Sequence, residues 1–176
     1  MSMELLVSTV VLLGLLGVAV VSDLLRHRIP NMLVLLGIAL GLAGQTYSGG
    51  FSGLGDSLLG MLICFGLFLP MYAVGGMAAG DVKLMAMVGT FLGFHFALWA
   101  AMFSLIAGGV CGFLIVLFRG QLLQTLGRYR LILRAQSYLA PASDEVAGKP
   151  FPYSIAILIG TLNSVYWQLV AGGLGA

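Results

Sequence analysis

Charged residues are scarce in this chain, and their scarcity excludes an ordinary soluble domain. Of its 176 residues, 8% are charged and 60% are hydrophobic, and the mean hydropathy is +1.09. Soluble domains are about a quarter charged. The net charge of +2 also provides no basic surface for nucleic acid. The composition therefore predicts a membrane protein whose main partner is the lipid bilayer.

Cysteine is almost absent as well. The two cysteines, Cys64 and Cys111, lie in apolar runs with no second cysteine or histidine beside them. This arrangement excludes a disulfide framework and a zinc site. Both residues are interpreted as small packing side chains. The sequence predicts no metal and no cofactor.

Alternation of polar and apolar residues is missing too, which excludes a transmembrane β-barrel. The apolar runs are continuous, and helices satisfy their own backbone within lipid. The chain is therefore predicted to be an all-α integral membrane protein with one membrane-embedded domain over residues 1–176. At about 20 residues per crossing, about six transmembrane helices are expected, at residues 4–22, 32–46, 54–74, 82–94, 96–118 and 152–172.

Two boundaries between these helices depend on glycine. Residues 46–53 are rich in glycine and serine and are predicted to form a loop. The charge-free stretch 84–118 would be roughly 50 Å long as one helix, against a hydrocarbon core of about 30 Å. This stretch is therefore divided into two crossings, with a break near residues 93–95.

The basic residues predict the orientation of the chain. Every lysine and arginine lies in or beside the segments 23–31, 75–83 and 119–150. Positive charge marks the cytoplasmic side of a membrane protein, so these segments are placed in the cytoplasm and the N-terminus outside. In the cytoplasmic loop 119–150, leucines at helical spacing predict an amphipathic helix on the membrane surface, with a solvated helix as the alternative.

The acidic residues are the main functional candidates, because an ionisable group at a membrane-spanning segment is expensive to place. Asp23 and Asp81 return to the same face of the membrane, whereas Asp56 falls on the opposite face and Asp144 lies in the cytoplasmic loop. Two carboxyl groups in one site share a proton, because both cannot ionise cheaply. Such a pair can activate water with one member and protonate a leaving group with the other. An active site is therefore predicted at the cytoplasmic face.

Simpler roles exist for each of these polar residues. A single aspartate at a helix end often caps the helix or carries an interfacial charge. Lys83 is either a membrane anchor or a group that tunes Asp81. Asn31 either caps the helix that follows Pro30 or contacts a substrate. The pairing of Asp81 with Asp23 is the feature that favours catalysis.

Two stretches resemble a known family, the type IV prepilin leader peptidases, which are membrane aspartyl proteases with a G-x-G-D motif. Asp23 lies shortly before Ile29-Pro30-Asn31, as in the first family motif, and Ala79-Gly80-Asp81-Val82-Lys83-Leu84 matches G-x-G-D-x-K-L. The start of the last span, Pro152-Tyr153-Ser154-Ile155-Ala156-Ile157, is similar to the family pattern Pro-Tyr/Phe-Gly-x-Ala-Ile. The resemblance covers about residues 1–165.

This resemblance implies an activity. Asp23 and Asp81 are implied to hold a water and to cleave a prepilin or pseudopilin after the glycine that ends its short basic leader. The hydrophobic helix of the substrate is implied to lie beside the enzyme in the bacterial inner membrane. The paired cysteines of the longer, N-methylating members are absent, so the chain resembles the short, peptidase-only form of tight-adherence (Flp-type) pili. The residues implied to support the substrate are Gly80, Lys83, Asn31 and Pro30.

Other classes of function stay open. A small proton-coupled carrier is one alternative, although it needs acids near the bilayer midplane and repeated halves. A non-catalytic subunit of a pilus or secretion assembly is another, and it needs neither aspartate. A catalytically inactive homologue is a third, because Ala78 replaces the first glycine of G-x-G-D. An active site requires that Ala78 does not need a positive φ.

Overall fold

The computed structural model describes residues 3–118 and 153–174, which form four α-helices and contain no strand. All four helices are long and apolar enough to cross a membrane. The predicted all-α fold with membrane-spanning helices is therefore confirmed for these residues. The amphipathic helix predicted within 119–150 lies outside them. In chain order the helices are α1 (Met3–Arg26), α2 (Asn31–Ala73), α3 (Ala79–Phe118) and α4 (Tyr153–Leu174).

A short turn separates α1 from α2. At its start His27 has a positive φ of 48° and donates its backbone N–H to the carbonyl of Asp23 at 2.8 Å, which ends α1. Pro30 disfavours helical backbone at Ile29 and is itself the N-cap of α2. The prediction that Asn31 caps α2 is wrong, because Asn31 is already its first helical residue and no side chain caps this end.

The long helix α2 folds back on itself at Gly50, which has φ 60° and ψ −142°. A methyl group on Gly53 would collide with the carbonyl oxygen of Gln45. In a straight helix these two residues would be about 12 Å apart along the axis. The loop predicted at 46–53 is therefore wrong in extent: the chain reverses at one glycine, and both sides of it are helical.

The long helix α3 also folds back, at Gly93, where φ is 67° and ψ is 178°. The Ser104 hydroxyl lies 4.0 Å from the sulfur of Met85, although a straight helix would separate these residues by about 28 Å. Gly93 falls within the stretch in which a break was predicted. The six membrane crossings themselves stay a prediction, since four helices are present in the described residues.

Polar side chains from α2 satisfy the backbone at the Gly93 break. Gln45 donates its amide N–H to the carbonyl of Phe91 at 2.6 Å, on the N-terminal side of the break. On the other side, the Asp56 carboxylate accepts the N–H of Phe94 at 3.2 Å. An unpaired backbone group is costly in apolar surroundings. Asp56 therefore has a structural role, and it acts about 18 Å along α3 from the position of Asp81.

The first limb of α3 is the centre of the fold, because every side chain from residue 84 to residue 93 is buried. The second limb of α2 approaches it closely at Gly60. A methyl group on Gly60 would overlap the carbonyl oxygen of Gly89 and stand 2.9 Å from the carbonyl carbon of Gly93. Small residues that let two backbones approach are typical of helix contacts within membranes.

The outer helices pack on this centre through one face each. On α1 the buried side chains recur at helical spacing, at Leu12, Leu16 and Ala19. Helix α4 runs antiparallel to the second limb of α3, since Tyr153 donates its hydroxyl to the carbonyl of Ser104 at 3.2 Å. Further along α4, the hydroxyl of Ser164 reaches the carbonyl of Phe96 at 2.7 Å. The start of α4 therefore lies at the same end of the fold as Asp81.

Gly60→Ala is expected to destabilise the fold by about 1–3 kcal/mol, because its methyl group would meet helix backbone that cannot move aside. Gly66→Ala on the same helix is the matched control. Nothing lies within 4 Å of the Cβ position of Gly66, and alanine favours the helix by about 1 kcal/mol. The measurement is the unfolding midpoint of the purified protein in detergent. Equal midpoints for the two variants would contradict the close contact.

Candidate active site

Three described helices bring polar side chains together at one end of the fold. Asp23 lies in the last turn of α1, Asp81 in the first turn of α3 and Ser154 in the first turn of α4. Asp81 is 3% exposed and Ser154 is fully buried, whereas Asp23 is half-buried. The two aspartates predicted to form a pair therefore lie at the same end of the helix bundle.

The start of α3 fixes the carboxyl group of Asp81. Ala79 is the first helical residue, so Asp81 is the third. Its Oδ2 accepts the backbone N–H of Ala78 at 3.2 Å, and its own N–H donates to the carbonyl of Ala78 at 3.1 Å. An acidic side chain at the third helical position that reaches back to the N-cap is half of a capping box. The local fold therefore holds this carboxyl in place.

Ala78 satisfies the condition for an active site at this motif, namely that its φ is not positive. Among the described residues, His27 alone has a positive φ without being glycine. The alanine in the first position of G-x-G-D therefore adopts an ordinary backbone conformation, and the replacement of glycine introduces no strain there.

The Asp23 carboxyl group is held by a residue from the far end of the chain. The Ser154 hydroxyl donates to Asp23 Oδ2 at 2.6 Å. Tyr153 fixes the backbone beside Ser154, since its hydroxyl reaches the carbonyl of Ser104 and its ring meets the ring of Phe68 edge to face at 6.0 Å. The start of α4 is therefore anchored by the residue next to the hydroxyl that contacts Asp23.

The two aspartates are carried on segments that contact each other. The turn that follows Asp23 lies against the start of α3, where a methyl group on Gly80 would stand 3.5 Å from the side chain of Ile29. The two aspartates come from different helices, so only the tertiary structure brings them together. In the described ranges no three histidine, cysteine, aspartate or glutamate side chains are grouped so as to hold a metal ion. What the arrangement offers is acid–base chemistry between two carboxyl groups.

The comparison with known families supports one general class of function, a peptidase. A sequence profile of the type IV leader peptidase family matches residues 10–117. The chain belongs to the type IV leader peptidase family. The resemblance predicted from the motifs is thereby confirmed, and the protein is a peptidase of this kind in its general class. Comparison with curated proteins and with solved structures gives no match.

The residues predicted to support the substrate of this peptidase connect the starts of two helices. The Lys83 ammonium group donates to the amide oxygen of Asn31 at 3.2 Å, and both side chains are exposed. A methyl group on Gly80 would stand 3.5 Å from the side chain of Ile29. The turn that ends at Pro30 therefore lies against the G-D stretch. Contact of these residues with a substrate stays a prediction.

An open cavity lies at this turn, between the end of α1 and the start of α2. It has a volume of about 560 Å³ and is lined by Ser22, Arg26, Arg28, Ile29 and Pro30. Within it, the Ser22 hydroxyl donates to the carbonyl of Arg28 at 2.9 Å and so stabilises the turn. Of the predicted supporting residues, the proline therefore lines space that a ligand could enter.

Sequence reasoning missed Ser154 as a functional candidate. The available signal was its place in the Pro-Tyr-x stretch, at the start of a span that begins on the same face as Asp23. Its contact with Asp23 crosses 131 positions of the sequence. No local pattern in the sequence indicates such a contact, so Ser154 was interpreted only as part of the start of a helix.

Gly80→Ala is expected to leave the fold intact, because the added methyl group would make an ordinary van der Waals contact with Ile29 and Gly80 has no positive φ. The free energy of unfolding should change by no more than about 1 kcal/mol, so the unfolding midpoint in detergent should shift only slightly. A large fall would contradict the placement of the turn against α3. If the variant keeps its stability and loses peptidase activity, the glycine serves the substrate.

Proposed function

We propose that this peptidase is a prepilin leader peptidase of the aspartic type, with Asp23 and Asp81 as its catalytic pair. Its substrate is a prepilin or pseudopilin of the type IV or Flp kind. The bond that it hydrolyses follows the glycine at the end of the leader. Family membership supports the general class, and the site supports the chemistry.

The single observation that carries the proposal is the placement of the two aspartates. Two helices each present one aspartate at the same end of the fold, and the turn after Asp23 lies against Gly80, the neighbour of Asp81. Like charges at short distance cannot both be present cheaply, so one proton is shared by the pair. A shared proton provides a base and an acid within one site, as hydrolysis of a peptide bond requires.

The reaction uses water as its nucleophile. The ionised aspartate accepts a proton from the water as the water oxygen bonds to the carbonyl carbon of the leader glycine. The protonated aspartate gives its proton to the carbonyl oxygen, and the tetrahedral intermediate forms without a covalent bond to the enzyme. When the intermediate collapses, the C–N bond breaks, the proton taken from the water passes to the leaving amine, and a hydroxyl of the intermediate returns a proton to the second aspartate.

The membrane arrangement is part of the proposal. Six crossings with the N-terminus outside place the catalytic pair at the cytoplasmic face of the bacterial inner membrane. The backbone reversals at Gly50 and Gly93 support this count, because each lets one long helix make two passes. The basic residues Arg26, Arg28 and Lys83 lie at the same end as the pair and agree with the positive-inside rule.

Asp23→Asn and Asp81→Asn are each expected to abolish cleavage, because asparagine can neither accept the proton from water nor return one. The purified protein in detergent is mixed with a Flp-type prepilin, and the new N-terminus is identified by mass spectrometry. Asp56→Asn is the matched control. Its carbonyl oxygen can still accept the N–H of Phe94 at the other end of the fold, so it should cleave at the wild-type rate.

The outcomes separate this function from its rivals. Cleavage after the leader glycine, lost in both active-site variants and kept in the control, supports the peptidase and its pair. Full activity in either active-site variant would falsify the pair. If the folded wild-type protein cleaves neither a type IV nor a Flp-type prepilin, the peptidase is contradicted. The rival functions, a proton-coupled carrier and a non-catalytic subunit, are then the ones in which the role of the aspartates has to be tested.

A further inference from the structure

We propose that Ser154 is a positioning residue that holds the carboxylate of Asp23 and makes Asp23 the ionised, water-facing member of the pair. In this assignment Asp23 is the general base and Asp81 the general acid. The inference deepens the proposed function and rests on it for the two catalytic roles. The hydrogen bond between Ser154 and Asp23 can be tested whether or not the proposed function is correct.

The length of the contact is compatible with an ionised acceptor. The Ser154 hydroxyl lies 2.6 Å from Asp23 Oδ2. Hydroxyl donors to a charged carboxylate are found at about 2.5–2.7 Å, and such bonds are roughly twice as strong as neutral ones. A serine hydroxyl has one proton to donate. The geometry therefore fits a hydroxyl that donates to a carboxylate at Asp23.

The surroundings of Ser154 make this donor rigid. Its side chain is fully buried. The neighbouring Tyr153 is fixed by its hydrogen bond to Ser104 and by the ring of Phe68. A donor that is already oriented loses little entropy when the reaction begins, so it can hold one oxygen of Asp23 while the other turns to the water.

Access to water distinguishes the two aspartates. Asp81 is 3% exposed, and one of its oxygens already accepts the backbone N–H of Ala78. Asp23 is half-buried and is therefore the more exposed member of the pair. A general base must be within hydrogen-bonding distance of the water that it activates. The difference in exposure favours Asp23 as the member that meets the water.

The size of the effect is limited by the chemistry. Hydrogen bonds to charged groups contribute more than neutral ones, but removal of the donor leaves a carboxylate that water can partly solvate. The family pattern quoted above has glycine where this chain has Ser154. Loss of the hydroxyl should therefore slow the reaction and change its pH dependence without abolishing it.

Ser154→Ala is expected to lower kcat about tenfold and to move the acidic limb of the pH–rate profile to higher pH. The direction follows because a carboxylate without its donor takes up a proton more readily. Ser164→Ala is the matched control. Ser164 is a buried serine on the same helix with one hydrogen bond, to the carbonyl of Phe96. A purely structural role would lower the stability of both variants and would leave both pH profiles in place.

The decisive experiment measures kcat, KM and pH profiles on a Flp-type prepilin for the wild type and for both variants. If the wild type and Ser164→Ala cleave and the profile of Ser154→Ala coincides with theirs, the inference is overturned while the proposed function stands. If Ser154→Ala does not fold, Ser154→Gly removes the same hydroxyl and takes its place.

If the wild type cleaves nothing, the proposed function is refuted. An infrared titration still tests the contact between Ser154 and Asp23 in that case. Aspartate labelled with ¹³C at the side-chain carboxyl carbon gives carboxylate bands, and subtraction of the Asp23→Asn spectrum isolates that of Asp23. In Ser154→Ala this band should appear at higher pH than in Ser164→Ala. Identical titrations would show that Ser154 does not act on Asp23, whatever the protein cleaves.

Discussion

Close packing of α2 against α3 at glycines holds the fold together, and the position of the candidate active site depends on it. Lipid surrounds the helices with apolar chains, so apolar burial drives their association less than it does in water, and close packing has to hold them together. Gly60 and Gly89 bring two helix backbones together with no side chain between them. In the first limb of α2, a methyl group on Gly37 or Gly41 would collide with Met87 or Thr90, so the start of α2 lies beside the start of α3. Ile29 then rests against Gly80, and the turn after α1 closes over the G-D stretch.

The candidate active site is built from helix ends, and this explains how polar groups are placed in a chain that has so few of them. Asp81 is oriented by the backbone at the start of its own helix, and Asp23 by a hydroxyl at the start of another. Helix ends have unpaired backbone groups, and they also lie near the membrane surface where charge is tolerated. The helix interiors can therefore remain apolar while the chemistry is kept at one end.

The sequence predicted what local pattern and topology determine. Long apolar runs predicted helices able to span a membrane, Gly93 lay where length demanded a break, and alternate crossings brought Asp23 and Asp81 to one face. Contacts between distant side chains were not predictable in this way. Of the two roles predicted for Asn31, the helix cap is wrong, because Asn31 lies one residue too late, and its side chain accepts a hydrogen bond from Lys83.

The same limit applies at the other end of the fold. Asp56 was predicted on the face opposite the aspartate pair, and its role became visible only when the Phe94 N–H was placed against it. The loop predicted before it was too long, because composition cannot show that one glycine is enough to reverse a helix. In both cases the missing information was the partner, which composition and periodicity do not contain.

The contact between Asp23 and Ser154 also determines when the site is complete during synthesis. Both aspartates are made early, and the serine follows Asp23 by 131 positions. A chain whose synthesis has not reached α4 therefore has both carboxyl groups but lacks the hydroxyl and the helix that carries it. The finished arrangement can form only after the last described helix has been inserted beside α3. The nascent protein passes through membrane insertion before its active site exists in final form.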